Sequence, residues 1–172
     1  MPSDITIAGD PFDFPHLAHL AAPTAAIAPT VARLTEIALD VADDPRSWRN
    51  AISFDLEQRR RIRLRAAEDH EVWLVSWLPG HRTGLHDHGD ASAVFTVATG
   101  RLRERAVTFG PKGTLVETGR EISPGEVRVF GPRQIRELIN PGPGRAVSVH
   151  VYAPRLSDGH EYRFTGGALL RT

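Results

Sequence analysis

At residue 60 the hydrophobic pattern changes period, and that change constrains the fold more than any other feature. Beyond it, polar and apolar residues alternate: Arg61, Arg63 and Arg65 interleave with Ile62, Leu64 and Ala66. Short β-branched and aromatic runs follow at Val72–Leu78, Val94–Val97, Val107–Phe109, Val127–Phe130 and Val147–Tyr152. Turn signals separate them: Pro79-Gly80, Gly100, Gly110-Pro111, Pro124-Gly125 and the Asn140–Gly144 stretch. A strand places successive side chains on opposite faces, so period two marks strands. Many short strands at near-regular spacing make a β-sandwich or a β-barrel over residues 60–165.

The N-terminal third reads differently. Residues 1–29 form an irregular lead punctuated by Pro11, Pro15 and Pro23. Residues 30–55 read as helical. Val31, Leu34, Ile37, Ala38 and Val41 follow helical spacing between Pro29 and Pro45, and a second short helix includes Trp48. At 172 residues the chain is expected to be a single domain with a buried core. Lys+Arg and Asp+Glu each number 21, so no charge excess points to nucleic acid or an anionic membrane. The absence of cysteine excludes disulfides, thiolate metal sites and a cysteine nucleophile, and fits a cytoplasmic location. No apolar run nears the ~18 residues of a membrane span, and Met1–Asp10 lacks the pattern of a secretory signal.

The chemistry concentrates in Gly84-Leu85-His86-Asp87-His88-Gly89. Histidines at i and i+2 of a strand share a face, and two imidazoles converging in a barrel make half of a metal site. Asp90 shares their parity and is expected to face inward with them. His16 and His19, also closely spaced, have no further ligand nearby and are read as ordinary side chains; His70, His81 and His160 are read as structural.

The frame Gly80-x-x-x-Gly84-x-His86-x-His88, followed by Gly100, resembles the first motif of the cupin barrels. Gly125, Pro132 and Asn140 resemble the second. More specifically, the chain resembles the cysteine dioxygenase family of thiol dioxygenases. The likeness is carried by Trp77-Leu78-Pro79-Gly80 leading to His86-Asp87-His88-Gly89, by Gly100-x-Leu102-x-Glu104, by Ala146–Pro154 and by the approach from Asp44 to Asp55. The resemblance implies an all-β cupin (double-stranded β-helix, jelly roll) with N-terminal helices. It also implies a mononuclear Fe(II) centre with His86 and His88 as two of three histidine ligands. Ser148, His150 and Tyr152 match the family's outer hydrogen-bond relay, and Arg63 takes the place of its substrate-carboxylate arginine. The implied reaction adds O₂ to the sulfur of a small thiol carboxylate and gives a sulfinate.

The chain departs from the family where it matters most. Four residues before Asn140, where the third iron histidine belongs, stands Arg136; Arg61 replaces a tyrosine, and Ala93 rules out a cysteine–tyrosine cross-link. Guanidinium offers only donors and cannot ligate iron. Three arrangements follow. The strand slips by one and Glu137 supplies a carboxylate to a two-histidine site. Alternatively, two protein ligands remain and a substrate or anion held by Arg136 fills the gap. Otherwise the metal is weak or absent, and Arg61, Arg63 and Arg136 meet around an anionic metabolite. The first two arrangements suit an oxygenase with O₂ and an anionic thiol as its partners; the third suits a binding protein without dioxygenase activity.

Overall fold

The computed structural model describes residues 28–111, 114–165 and 168–172. The irregular lead, including His16 and His19, lies outside these residues up to position 27. Helix α1 runs over Val31–Asp43 and is capped by Thr30, whose hydroxyl accepts from the Arg33 N–H at 3.2 Å. Leu34, Ile37, Ala38 and Ala42 form its buried stripe, and burying the two larger side chains contributes about 2 kcal/mol each. Asp44 then accepts from the Arg46 N–H at 3.2 Å and opens a 3-10 turn at Pro45–Ser47. Helix ends there, short of the expected residue 55. Residues 48–59 form turns and irregular chain instead. The Asp55 side chain accepts from the N–H groups of Glu57 and Gln58, an alternative to helical bonding. Trp48 is nonetheless buried, its indole donating to the Val41 carbonyl at 2.7 Å.

The alternating segments form antiparallel sheets. The first sheet contains β1 (Arg60–Ala66), β2 (Glu71–Trp77), β4 (Ser92–Thr99), β7 (Val127–Phe130) and β9 (Ala146–Ala153), in the order β1-β2-β9-β4-β7. The second contains β3 (Leu85–His86), β5 (Leu102–Phe109), β6 (Leu115–Ile122), β8 (Ile135–Ile139), β10 (Glu161–Thr165) and β11 (Ala168–Arg171), in the order β11-β10-β3-β8-β5-β6. The jelly-roll expectation holds, as two facing sheets and not as one continuous closed barrel. No helix among the described residues is long and apolar enough to cross a membrane.

Strand β9 shows how the faces are assigned. Val147, Val149 and Val151 pack with Val72, Leu74 and Val94 against α1. The alternate residues Ala146, Ser148, His150 and Tyr152 face the space between the sheets, and all eight β9 positions are buried. Between the sheets Val75, Trp77, Phe95, Val97, Leu102, Ile122, Phe130 and Leu138 form the second core. The site lies on this inner face, so its polar groups are surrounded by packed apolar side chains.

The turn after β3 is fixed by main-chain contact. Asp87 accepts from the Gly89 N–H at 2.8 Å, the His160 N–H at 3.1 Å and the Tyr162 hydroxyl at 2.6 Å. Gly89 has φ +58°, and a Cβ there would lie 1.8 Å from the Asp158 carbonyl oxygen. Gly89→Ala is therefore expected to cost about 3 kcal/mol, measured as a lower denaturation midpoint. Gly131→Ala, where a Cβ would meet nothing within 4 Å, should change it far less.

Candidate functional site

A cavity of about 260 Å³ opens between the sheets, with Arg59, Arg61, His86, His88, Arg136 and Tyr152 among its walls. His86 sits on β3 directly opposite Arg136 on β8. Directly paired residues in antiparallel strands project to the same face, so Arg136 points into the cavity beside the histidines. This register excludes the slipped strand. Glu137 faces the other way, buried near Arg105 at 3.5 Å and Arg82 at 3.7 Å, and cannot reach the histidine pair as a third ligand.

The imidazoles are close, with ring centroids 4.9 Å apart. His86 Nδ1 lies 3.0 Å from the Gly84 carbonyl oxygen. That acceptor fixes the proton on Nδ1 and leaves Nε2 with a free lone pair. Burial, the largest effect, lowers the His86 pKa to about 4, with Arg136, Arg59 and Arg61 adding to it. Burial followed by the charge of Arg136 lowers His88 further. Both rings are neutral at pH 7.

Arg136 is 1% exposed. Its guanidinium carbon lies 3.6 Å from the Phe130 ring centroid and 5.5 Å from that of Phe95. Nη2 is 3.2 Å from His88 Nδ1, whereas Nε and Nη1 have no hydrogen-bond partner among the described residues. Glu104, whose charge is felt by Arg136, already binds Arg128 at 2.7 and 3.4 Å. Burial lowers the Arg136 pKa to about 10, which still leaves the group charged at neutral pH. A cation thus stands where a third donor would be needed, in contact with one of the two remaining donors. Among the described residues no three His, Cys, Asp or Glu side chains gather as a metal-binding set. The residues present do not fit an iron held by three histidines.

Trp77 Nε1 on β2 donates to Ser148 Oγ on β9 at 2.9 Å, and Ser148 Oγ lies 2.8 Å from His150 Nε2. His150 Nε2 is the one acceptor found for the Ser148 proton among the described residues, which places the imidazole proton on Nδ1. Nδ1 lies 3.4 Å from the Tyr152 hydroxyl. The indole can only donate, so the chain of donors runs outward from Trp77, and Tyr152 presents its own proton to the cavity. Burial, the first cause in each case, pushes His150 well below and Tyr152 above their usual pKa. Both stay neutral.

Other expected residues lie elsewhere. Arg63 is not part of the cavity wall; it is half exposed at the rim, 3.7 Å from the buried Glu71. Arg61 does line the cavity, its guanidinium 4.8 Å from the Trp73 ring centroid. Arg59 joins it, a residue the sequence reading misses although it has the same strand parity as Arg61. Asp90 does not face inward. β3 ends at His86, so strand parity no longer applies, and Asp90 pairs with Arg133 on the surface at 2.8 Å. His160 lines the cavity while its Nδ1 lies 3.2 Å from Asp87. His81 accepts from the Leu78 N–H, and His70 pairs with Asp69.

The profile of cysteine dioxygenase type I matches residues 17–164. The chain belongs to this family. Solved structures share the fold at low identity. TT1209 from Thermus thermophilus is 20% identical with a TM-score of 0.53, over 62% of this chain and 93% of that one. A Klebsiella pneumoniae protein with a double-stranded β-helix domain is 18% identical with a TM-score of 0.50, over 72% and 91%. KdgF from Halomonas sp. is 18% identical with a TM-score of 0.50, over 62% and 89%. Cysteine dioxygenase type I is an oxidoreductase family, and this member places a guanidinium in the wall of its cavity.

An unpaired buried charge costs several kcal/mol, whereas an apolar side chain of similar volume does not. Arg136→Met is therefore expected to stabilise the ligand-free protein by about 2 kcal/mol. The check is a higher urea midpoint at unchanged slope.

Proposed function

We propose that this member of the cysteine dioxygenase type I family binds a small carboxylate-bearing metabolite, its anionic group seated against Arg136. One observation carries the reading: a fully buried, charged guanidinium that belongs to the wall of an open cavity and makes no ion pair within 4.0 Å among the described residues. Each charge-assisted hydrogen bond to a carboxylate contributes about 2 kcal/mol, and the fork of donors suits that group. The Tyr152 hydroxyl adds a neutral donor. The ligand class follows the family, a small thiol carboxylate or a close analogue, and a cysteine-free chain suits the cytoplasm.

The family's own reaction, O₂ addition to a thiol to give a sulfinate with Fe(II) as cofactor, is the second reading. It is supported by family membership and by the hydrogen-bonded Ser148–His150–Tyr152 series. Against it stands the donor set, since Arg136 contacts His88 and supplies no lone pair. O₂ consumption by Fe(II)-supplemented protein separates the two readings, with cysteine, 3-mercaptopropionate and mercaptosuccinate as probes. Binding without uptake above the metal-free control is expected. Uptake that depends on His86 and His88 would establish the oxygenase. For the binding reading, calorimetry with 3-mercaptopropionate should give a dissociation constant between about 1 μM and 1 mM, and Arg136→Met should weaken it at least tenfold. Equal affinity in the variant would remove Arg136 as the anchor.

A further inference from the structure

We infer that the ligand of this cavity is a short dianion, a dicarboxylate whose ends meet two separate cationic poles. The inference rests on the anion-binding reading above and narrows it. The inner pole is Arg136, enclosed by Phe130, Phe95 and His88. The second pole is on β1 and the residue before it, where Arg59 and Arg61 have equal parity and both line the cavity.

These three arginines line the cavity without a fixed counter-ion. Arg60 is 3.4 Å from Asp55 and Arg63 is 3.7 Å from Glu71. Arg59, Arg61 and Arg136 make no ion pair within 4.0 Å among the described residues. Arg59 donates to the Arg82 carbonyl oxygen at 2.8 Å and lies over the Trp77 ring, and Arg61 lies over the Trp73 ring. Aromatic faces and a backbone acceptor hold both guanidiniums in place without neutralising them. Burial lowers the pKa of Arg59, and the charge of Arg61 lowers it further, so the two sit close enough to repel.

Two carboxylates also belong to the wall, Asp87 and Glu161. Asp87 is occupied by Tyr162, Gly89 and His160. Glu161 is exposed and acts on Arg59 from a distance. His86, His88 and His150 are neutral. Neither Asp87 nor Glu161 lies within 4.0 Å of Arg59, Arg61 or Arg136, so each cationic pole lacks a counter-ion among the described residues, and the three guanidiniums outnumber the two wall carboxylates by one. Val75, Leu138 and Leu156 supply apolar wall in the same cavity, matching a hydrocarbon linker. A compact dianion such as inorganic phosphate places both charges on one centre and has no hydrocarbon linker to match that wall.

Calorimetry at fixed ionic strength in a carboxylate-free buffer tests this on the full chain. The probes are succinate and mercaptosuccinate against propionate, 3-mercaptopropionate and inorganic phosphate. Each dicarboxylate should bind at least tenfold more tightly than its monocarboxylate partner and than phosphate. Arg61→Met, at an exposed position that does not hold the core, should shrink that ratio to below threefold. Circular dichroism of the variant confirms its fold. Equal affinity for succinate and propionate, or phosphate binding as tightly as succinate, overturns the dianion and leaves the anion site standing. A ratio unmoved by Arg61→Met overturns the second pole. No binding of any probe overturns both readings.

Discussion

A buried positive charge without a counter-ion sets the character of this molecule. The Arg136 guanidinium lies between the Phe130 ring and the His88 imidazole, and the carboxylate whose charge acts on it, Glu104, is committed to Arg128. Removal from water favours loss of its proton, yet the group keeps it at neutral pH. Burial first, and then the same charge, suppresses protonation of His86, His88 and His150. Much of the electrostatics of the cavity thus radiates from one side chain.

The surrounding polar groups are consistent with that arrangement. The run from Trp77 through Ser148 and His150 to Tyr152 is made of neutral partners, each with a defined direction of donation. Such a series holds a phenol in place without adding charge beside a guanidinium. It suits an environment in which the anion is supplied from outside. A ligand carboxylate would accept from Arg136 and Tyr152 together.

Much of this is legible in the sequence, and the failures have specific causes. Period two beyond residue 60 reveals the sheets because one face of each strand packs on α1 or on the opposing sheet. Helical spacing locates the stripe of α1 and Pro45 marks its end; only the helical segment expected beyond it, up to residue 55, is missing, since Asp55 organises its own turn. His86 and His88 reveal themselves by their spacing. The register of Arg136 cannot be counted, because Asn140 and Pro132 predict different offsets; the pairing of Arg136 with His86 decides it. Parity alone would put Arg63 in the cavity, but parity gives a face and not a height along the strand. Arg59 and Arg61 stand level with the cavity, and Glu71 holds Arg63 beyond it. Asp90 departs from its parity for a similar reason, because its strand has already ended.

Where Gly89 and Gly159 meet the neighbouring backbone, a side chain would have almost no room: an added Cβ at Gly159 would lie 2.8 Å from the Asp87 carbonyl oxygen. The stretch carrying the two histidines is therefore braced against the segment before β10 by main chain, largely independent of what fills the cavity. A scaffold built this way can exchange the chemistry of one wall residue while the opposite wall stays put. The guanidinium at position 136 belongs to the wall that faces this braced stretch, and its neighbours can be changed without loosening the frame.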